Sequence, residues 1–273
     1  MNGQRRRKLH FRYSLVKDAG HTSSASRTRS AATRLGFAAM RIGRRRGVRK
    51  AFVSAAPAGA VAVRVKPRLR GVFHELGFYV ALAVGPVAIL TSHPGRGRLA
   101  AAIFSACVVA CFGASALYHR PTWKPAARQW LARLDHAGVY LLIAGSYAPF
   151  GLLVLSAGWA VPVLAVVWGG ALLAILLKLF WVRSPKWVSA TLGLALGWAG
   201  AAAFSQLLKL PPAALALVVV AGLLYTAGAV VYVLRRPDPA PDVFGYHELF
   251  HVLTVAAVAV EYVAVVFFVL PRA

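Results

Sequence analysis

Apolar runs of about 20 residues, separated by short polar segments, fill the chain from residue 72 almost to its C-terminal end. A helix needs about 20 apolar residues to cross a hydrocarbon core of about 30 Å. The pattern therefore predicts an all-α membrane protein, a bundle of seven transmembrane helices over residues 72–92, 99–119, 134–155, 158–181, 187–208, 212–234 and 245–270. The boundary at 155–158 is the weakest, but a single helix over 134–181 would be far too long.

The Lys and Arg residues between the predicted helices indicate the orientation. With the N-terminus inside, the inner segments beyond residue 70 hold nine Lys or Arg residues and the outer segments hold four. Cytoplasmic loops are enriched in these residues. We therefore predict a cytoplasmic N-terminus and a C-terminus on the opposite side of the membrane.

Residues 1–65 differ in composition from the apolar domain predicted at 66–273. Residues 1–70 contain 19 of the 32 Lys and Arg residues and one acid, Asp18. This predicts a basic, disordered cytoplasmic tail, with attraction to anionic lipids as the functional alternative. A transit peptide or a start at Met40 fits the composition equally well. No apolar run follows the basic N-terminus, which argues against a secretory signal, and no motif indicates a nucleic-acid partner.

Two histidines at the start of the seventh predicted helix suggest a metal site. His247-Glu248-Leu249-Phe250-His251 has the H-E-x-x-H spacing of zinc proteases. His247 and His251 lie one helical turn apart on one face and can bind one ion. His119 ends the second predicted helix at the same predicted membrane level, so it is the natural third ligand for Zn²⁺. A protease helix, another kind of intramembrane metal site and a chance spacing are the three alternatives.

Ser115 and Asp135 are the candidate catalytic residues beside these histidines. Ser115 lies one turn before His119 and could orient it or hold a water molecule. Asp135 begins the third predicted helix, where its carboxylate could hydrogen-bond a metal-bound water or a ligand histidine. A charged group within a membrane is costly and usually functional. The alternative is an interfacial aspartate paired with Arg133.

The remaining acids and the cysteines have less specific predictions. Glu261 lies about 15 Å along the helix from the histidine pair, so it is too deep to be the downstream ligand of a zinc protease. We expect it to form a structural hydrogen bond with a neighbouring helix. Glu248 is expected to point aside towards the interface, and the role of Glu75 stays open. Cys107 and Cys111 lie four residues apart on one helix and are predicted to be unpaired small residues at a helix contact.

Several motifs, in order along residues 66–270, resemble the hemolysin III family, which is grouped with the progestin and adiponectin receptors and distantly related to alkaline ceramidases. They are Lys66-Pro67-Arg68-Leu69-Arg70-Gly71 with His74-Glu75, Ser115-Ala116-Leu117-Tyr118-His119, Arg133-Leu134-Asp135-His136, Ile143-Ala144-Gly145-Ser146-Tyr147-Ala148-Pro149 and His247-Glu248-Leu249-Phe250-His251. The resemblance implies a seven-helix protein of a bacterial plasma membrane with zinc near the cytoplasmic face. It implies His119, His247 and His251 as ligands, and a water held by Asp135 and Ser115.

One departure from the family pattern is Ser146, where threonine is commoner. The resemblance implies a lipid-amide hydrolase activity in eukaryotic relatives. Our first hypothesis is therefore a zinc-dependent hydrolase that acts on a membrane lipid amide, with Asp135 taking the proton and Ser115 positioning the water or stabilising the oxyanion. The alternatives are a non-enzymatic membrane-homeostasis factor with a structural zinc and a cytolytic pore-former. The few interior charges argue against an aqueous pore. The sequence determines neither the substrate nor the oligomeric state.

Overall fold

The computed structural model describes residues 66–273, and the predicted tail at 1–65 lies outside the described residues. Seven helices in this part of the chain are long and apolar enough to cross a membrane. They are α1 (Val72–Thr91), α2 (Arg96–His119), α3 (Pro125–Leu153), α4 (Ala157–Phe180), α5 (Lys186–Leu207), α6 (Pro212–Leu234) and α7 (Tyr246–Arg272). The predicted all-α seven-helix membrane fold is thereby confirmed, including the boundary between α3 and α4.

The largest difference from the prediction is at the start of α3. The helix begins at Pro125, nine residues before position 134. Hydropathy detects only the apolar part of a helix, whereas this first part contains Arg128, Gln129 and Arg133 and is mostly exposed. Proline at the first helical position has a suitable φ angle and lacks only an N–H that has no helical partner there. Asp135 therefore lies almost three turns inside α3 and does not begin the helix.

Small residues let α2 and α3 pack closely. A Cβ atom built on Gly138 would lie 3.1 Å from the Cα atom of Cys111, and one built on Gly145 would overlap Cys107. Both cysteines are buried and unpaired, so the prediction of small residues at a helix contact is confirmed. Close approach at small residues is a usual source of helix association in membranes, and here it brings the end of α2 against α3.

The fifth span is interrupted in its second half. An α-helix covers Lys186–Gly197, a 3₁₀ turn covers Ala199–Ala203, and a short α-helix ends at Leu207. The hydroxyl of Tyr147 donates to the carbonyl of Gly197 at 2.6 Å and accepts from the N–H of Gly200 at 2.9 Å. A side chain of α3 thus satisfies backbone groups at the interruption, as irregular backbone inside a membrane requires.

Candidate metal centre

The helix ends bring three histidines together. His119 is the last residue of α2, and His247 and His251 lie in the first two turns of α7. One nitrogen of each ring lies within 4.8 Å of the corresponding nitrogens of the other two. His119 and His251 are buried, and His247 is partly buried. The structure therefore places the three predicted ligand residues in one cluster at the end of the bundle that the topology predicts to be cytoplasmic.

The spacing and chemistry of the cluster suit zinc. The Nε2 atoms of His119 and His247 are 3.3 Å apart. Two nitrogens bound at about 2.0–2.1 Å to one tetrahedral zinc lie about 3.3–3.4 Å from each other. The Nδ1 atom of His251 is buried and has no hydrogen-bond partner among residues 66–273. The short distance between imidazole nitrogens and the buried nitrogen without a hydrogen-bond partner fit a zinc site with three protein ligands.

Asp135 faces the same position as the three clustered histidines. Its Oδ2 atom lies 3.5 Å from Nε2 of His119, the nitrogen that also faces His247. This is longer than an ordinary hydrogen bond, and it places the carboxylate beside the candidate metal position. Among the described residues the salt-bridge partner of Asp135 is His119, whereas the Nε atom of Arg133 donates to the carbonyl of Leu179 at 2.8 Å.

Ser115 lies one turn before His119, as predicted. Its hydroxyl oxygen is buried and has no hydrogen-bond partner within the described part of the chain. The expectation that it orients His119 therefore gains no support from a hydrogen bond. Ser115 and Asp135 both border the cavity beside the cluster, so the free hydroxyl is available to a bound molecule.

The prediction for Glu248 is wrong. Its side chain is 0% exposed and accepts hydrogen bonds from Nε of Arg70 and, at 2.9 Å, from the N–H of Gly245. The second of these bonds caps the start of α7. A glutamate used in this way is not free to act as the base of a zinc protease. Sequence reasoning missed the ion pair because Arg70 lies 178 residues earlier in the chain.

Sequence reasoning also missed His74 as part of this region. Its ring lies parallel to that of His251, with centroids 3.9 Å apart, and stacks on Phe112 at 4.8 Å. Both ring nitrogens of His74 are buried and without a hydrogen-bond partner among the described residues. The only sequence signal for a role of His74 was that it lies in a motif that resembles the family. A single histidine in an apolar helix has no second histidine or acid at helical spacing that would indicate a site. His74 therefore supports the ring of His251, one of the three clustered histidines.

The segment before α1 packs directly against His119. Gly71 has φ of 82° and ψ of −6°, and a Cβ atom there would lie 2.6 Å from the Cβ atom of His119. One turn into α1, Glu75 forms an ion pair with Arg120 at 2.6 Å. These contacts give Glu75 a structural role and hold the end of α2 against α1.

Glu261 lies apart from the histidine cluster. Its Oε2 atom accepts hydrogen bonds from the hydroxyl of Ser146 on α3 at 3.0 Å and from that of Tyr225 on α6 at 3.1 Å. The prediction of a structural hydrogen bond to a neighbouring helix is therefore confirmed. Threonine, the commoner residue at position 146 in the family pattern, also carries a hydroxyl. Either residue can therefore donate this hydrogen bond to Glu261.

A cavity of ≈ 320 Å³ extends from the histidine cluster into the bundle. Ser115, Asp135 and His251 border one end of it, and Leu207 borders it near the other end of the membrane-spanning part. Most of the side chains between are apolar, including those of Leu142, Phe150, Val163 and Leu215. An apolar cavity with a few polar groups at one end is the usual form of a binding site for an amphiphilic molecule.

These features define an integral membrane protein with seven helices and a buried histidine cluster at the end of an apolar cavity. The chain belongs to the family described as Haemolysin-III related, which it matches over residues 63–262. It is 28% identical over 205 residues to Hemolysin-3 of Bacillus cereus, covering 72% of this chain and 90% of that protein. It is 29% identical over 167 residues to the Hemolysin-3 homolog of Bacillus subtilis (strain 168), covering 61% and 75%. The resemblance seen in the motifs is confirmed.

Proposed function

We propose that this protein is a zinc-dependent membrane hydrolase that cleaves a lipid amide. The observation behind the proposal is one arrangement: three histidines, a partly buried carboxylate and a free hydroxyl meet at the polar end of an apolar cavity. The histidines supply the ligands that zinc prefers. The cavity suits the hydrocarbon part of a membrane lipid, and its polar end suits the bond to be cleaved.

His119, His247 and His251 would hold the zinc ion. When bound, zinc lowers the pKa of a coordinated water towards about 7 and polarises a carbonyl group. Asp135 would accept the proton of the attacking water at Oδ2, and the same atom would return it to the amine that leaves. The hydroxyl of Ser115 would donate a hydrogen bond to the carbonyl oxygen as negative charge develops there. The products are a carboxylic acid and an amine.

The closeness of Asp135 to the cluster also favours a second function. A carboxylate oxygen 3.5 Å from a ligand nitrogen could complete a closed, four-ligand site after a small movement. A closed site is structural, and it would connect α2, α3 and α7 in a non-enzymatic membrane protein. The two functions therefore differ in what Asp135 does.

Asp135→Asn distinguishes these functions when zinc content, thermal stability and hydrolysis of a lipid extract are measured on one preparation. For the hydrolase, the variant should fold and keep most of its zinc but lose about 100- to 10,000-fold in rate, because the proton acceptor is gone. For the structural site, zinc and thermal stability should fall together. If neither zinc nor hydrolysis changes, Asp135 is not the base and the proposed mechanism is wrong.

Metal binding itself is tested by the double variant His247→Ala/His251→Ala. The wild-type protein should contain about one zinc per chain, and the double variant should lose most of it because two of three ligands are absent. Glu261→Gln is the matched control, since it neutralises another buried acid of the same cavity without touching the cluster. Full zinc in the double variant would exclude the histidine site.

A further inference from the structure

Lys178 is a buried cation beside the same cavity. It lies in the last turn of α4, its side chain is 2% exposed, and it borders the cavity. A buried ammonium group is costly unless an opposite charge or a set of hydrogen bonds compensates for its lost hydration. The C-terminal end of α4 favours a cation, but it does not balance a full charge.

No acidic side chain of the described residues pairs with Lys178. The acids on the helices at this end of the bundle have other neighbours: Glu75 with Arg120, Glu248 with Arg70, and Asp135 with His119. Asp238 and Asp242, in the loop before α7, are exposed. The ammonium group of Lys178 donates a hydrogen bond to the hydroxyl of Ser184. A neutral hydroxyl leaves the positive charge uncompensated.

His136 lies at the same level as Lys178 and also borders the cavity. Arg133 on α3 donates to the carbonyl of Leu179 on α4 at 2.8 Å, which sets these two helices in register. His136 follows Arg133 by almost one turn, and Lys178 immediately precedes Leu179. The Nδ1 atom of His136 is buried and has no hydrogen-bond partner in the part of the chain that the structure describes. An uncompensated cation and a free imidazole nitrogen thus both border the cavity, on two helices that contact each other at this level.

We propose that Lys178 and His136 form an anion-binding site that holds the phosphate group of an anionic lipid, with the lipid chains in the apolar cavity. Phosphate supplies the negative charge that Lys178 lacks and oxygens that accept from an imidazole N–H. A lipid suits the site better than free phosphate, because the adjoining cavity is mostly apolar. The helical part of α5 at Lys186–Gly197 has no fully buried residue, and Ser189, Gly193 and Gly197 on it border the cavity. The inference goes beyond the proposed function and does not depend on hydrolysis.

The test uses the full chain purified in a nonionic detergent that contains no phosphate. Tryptophan fluorescence follows thermal unfolding while dioleoyl phosphatidate, dioleoylglycerol or inorganic phosphate is added. The two lipids have the same chains and differ in the phosphate. We expect the wild-type protein to bind phosphatidate at least about tenfold more tightly than dioleoylglycerol, as a charge-assisted hydrogen bond in a buried site predicts. Inorganic phosphate at the same concentrations should not stabilise the protein.

Three variants locate the effect. Lys178→Met keeps the length of the side chain but removes its charge, and it should lose the preference for phosphatidate. Lys178→Arg keeps the charge and should retain most of the preference. Lys124→Met is the matched control. Lys124 is exposed, does not border the cavity, and is predicted to lie on the same side of the membrane as Lys178. This variant should bind phosphatidate as the wild-type protein does.

Several results would overturn the proposal. One is an equal affinity of the wild-type protein for the two lipids, which needs no variant and so remains decisive if Lys178→Met does not fold. A second is that folded Lys178→Met keeps the wild-type preference for phosphatidate. A third is that Lys124→Met loses this preference as much as Lys178→Met does. Stabilisation by inorganic phosphate as strong as that by phosphatidate would overturn the assignment to a lipid. None of these measurements depends on zinc-dependent hydrolysis, so the two proposals can fail separately.

Discussion

Gly71→Ala should weaken zinc binding although residue 71 is not a ligand. Gly71 has φ of 82°, a left-handed backbone conformation that costs a residue with a Cβ atom about 1–2 kcal/mol. The added methyl group would lie 2.6 Å from the Cβ atom of His119, whereas ordinary contact begins at 3.4 Å. The difference, 3.4 − 2.6 = 0.8 Å, is the distance by which the two atoms must separate.

A displacement of this size is several times the tolerance of about 0.2 Å on distances to a metal ligand. We therefore expect zinc affinity to fall about 10- to 100-fold, the usual effect of disturbing the residues that support a ligand. Competition with a chromogenic chelator measures the affinity, and thermal unfolding of the zinc-free protein measures the backbone cost separately.

Gly95→Ala is the matched control for the backbone effect. Gly95 also has a positive φ angle, 87°, but a Cβ atom there would meet nothing within 4 Å. It precedes the first residue of α2, at the opposite end of that helix from His119. This variant should lose stability but keep the zinc affinity of the wild-type protein. Equal zinc affinities for the two variants would refute the conclusion that contact with Gly71 positions His119.

Three further outcomes are expected. A reporter fused to the C-terminus should lie outside the cytoplasm and one inserted within 120–130 should lie inside it, because Lys and Arg favour the inner side; the reverse pattern would place the histidine cluster on the outer face. Glu248→Gln should lower the unfolding temperature, because it leaves the partly buried Arg70 without its counter-charge, and an unchanged temperature would show that the ion pair adds no stability. Ser146→Ala should cost about 1 kcal/mol in a denaturation measurement through its lost hydrogen bond to Glu261, while zinc content stays constant; zinc loss would mean that the two regions are coupled.

The membrane fold and part of the metal centre could be predicted from local sequence. The thickness of a bilayer sets the length of an apolar helix, so each span is visible in the residues that form it. The spacing of His247 and His251 likewise implies proximity, because helix geometry alone brings residues four apart onto one face. His119 could be added from the order and direction of the spans. The start of α3 was missed because Arg128, Gln129 and Arg133 lower the hydropathy of its first turns.

The contacts across the bundle were decided only by tertiary structure. Glu248 faces Arg70 and His74 stacks on His251, although the two residues of each pair are distant in the chain. Lys178 borders a cavity that several helices line. In a water-soluble helix, an apolar stripe would reveal the buried face. In a membrane, lipid and protein interior are equally apolar, so hydropathy does not show how each helix is rotated about its axis. Helix packing sets that rotation, and the rotation determines which polar groups meet.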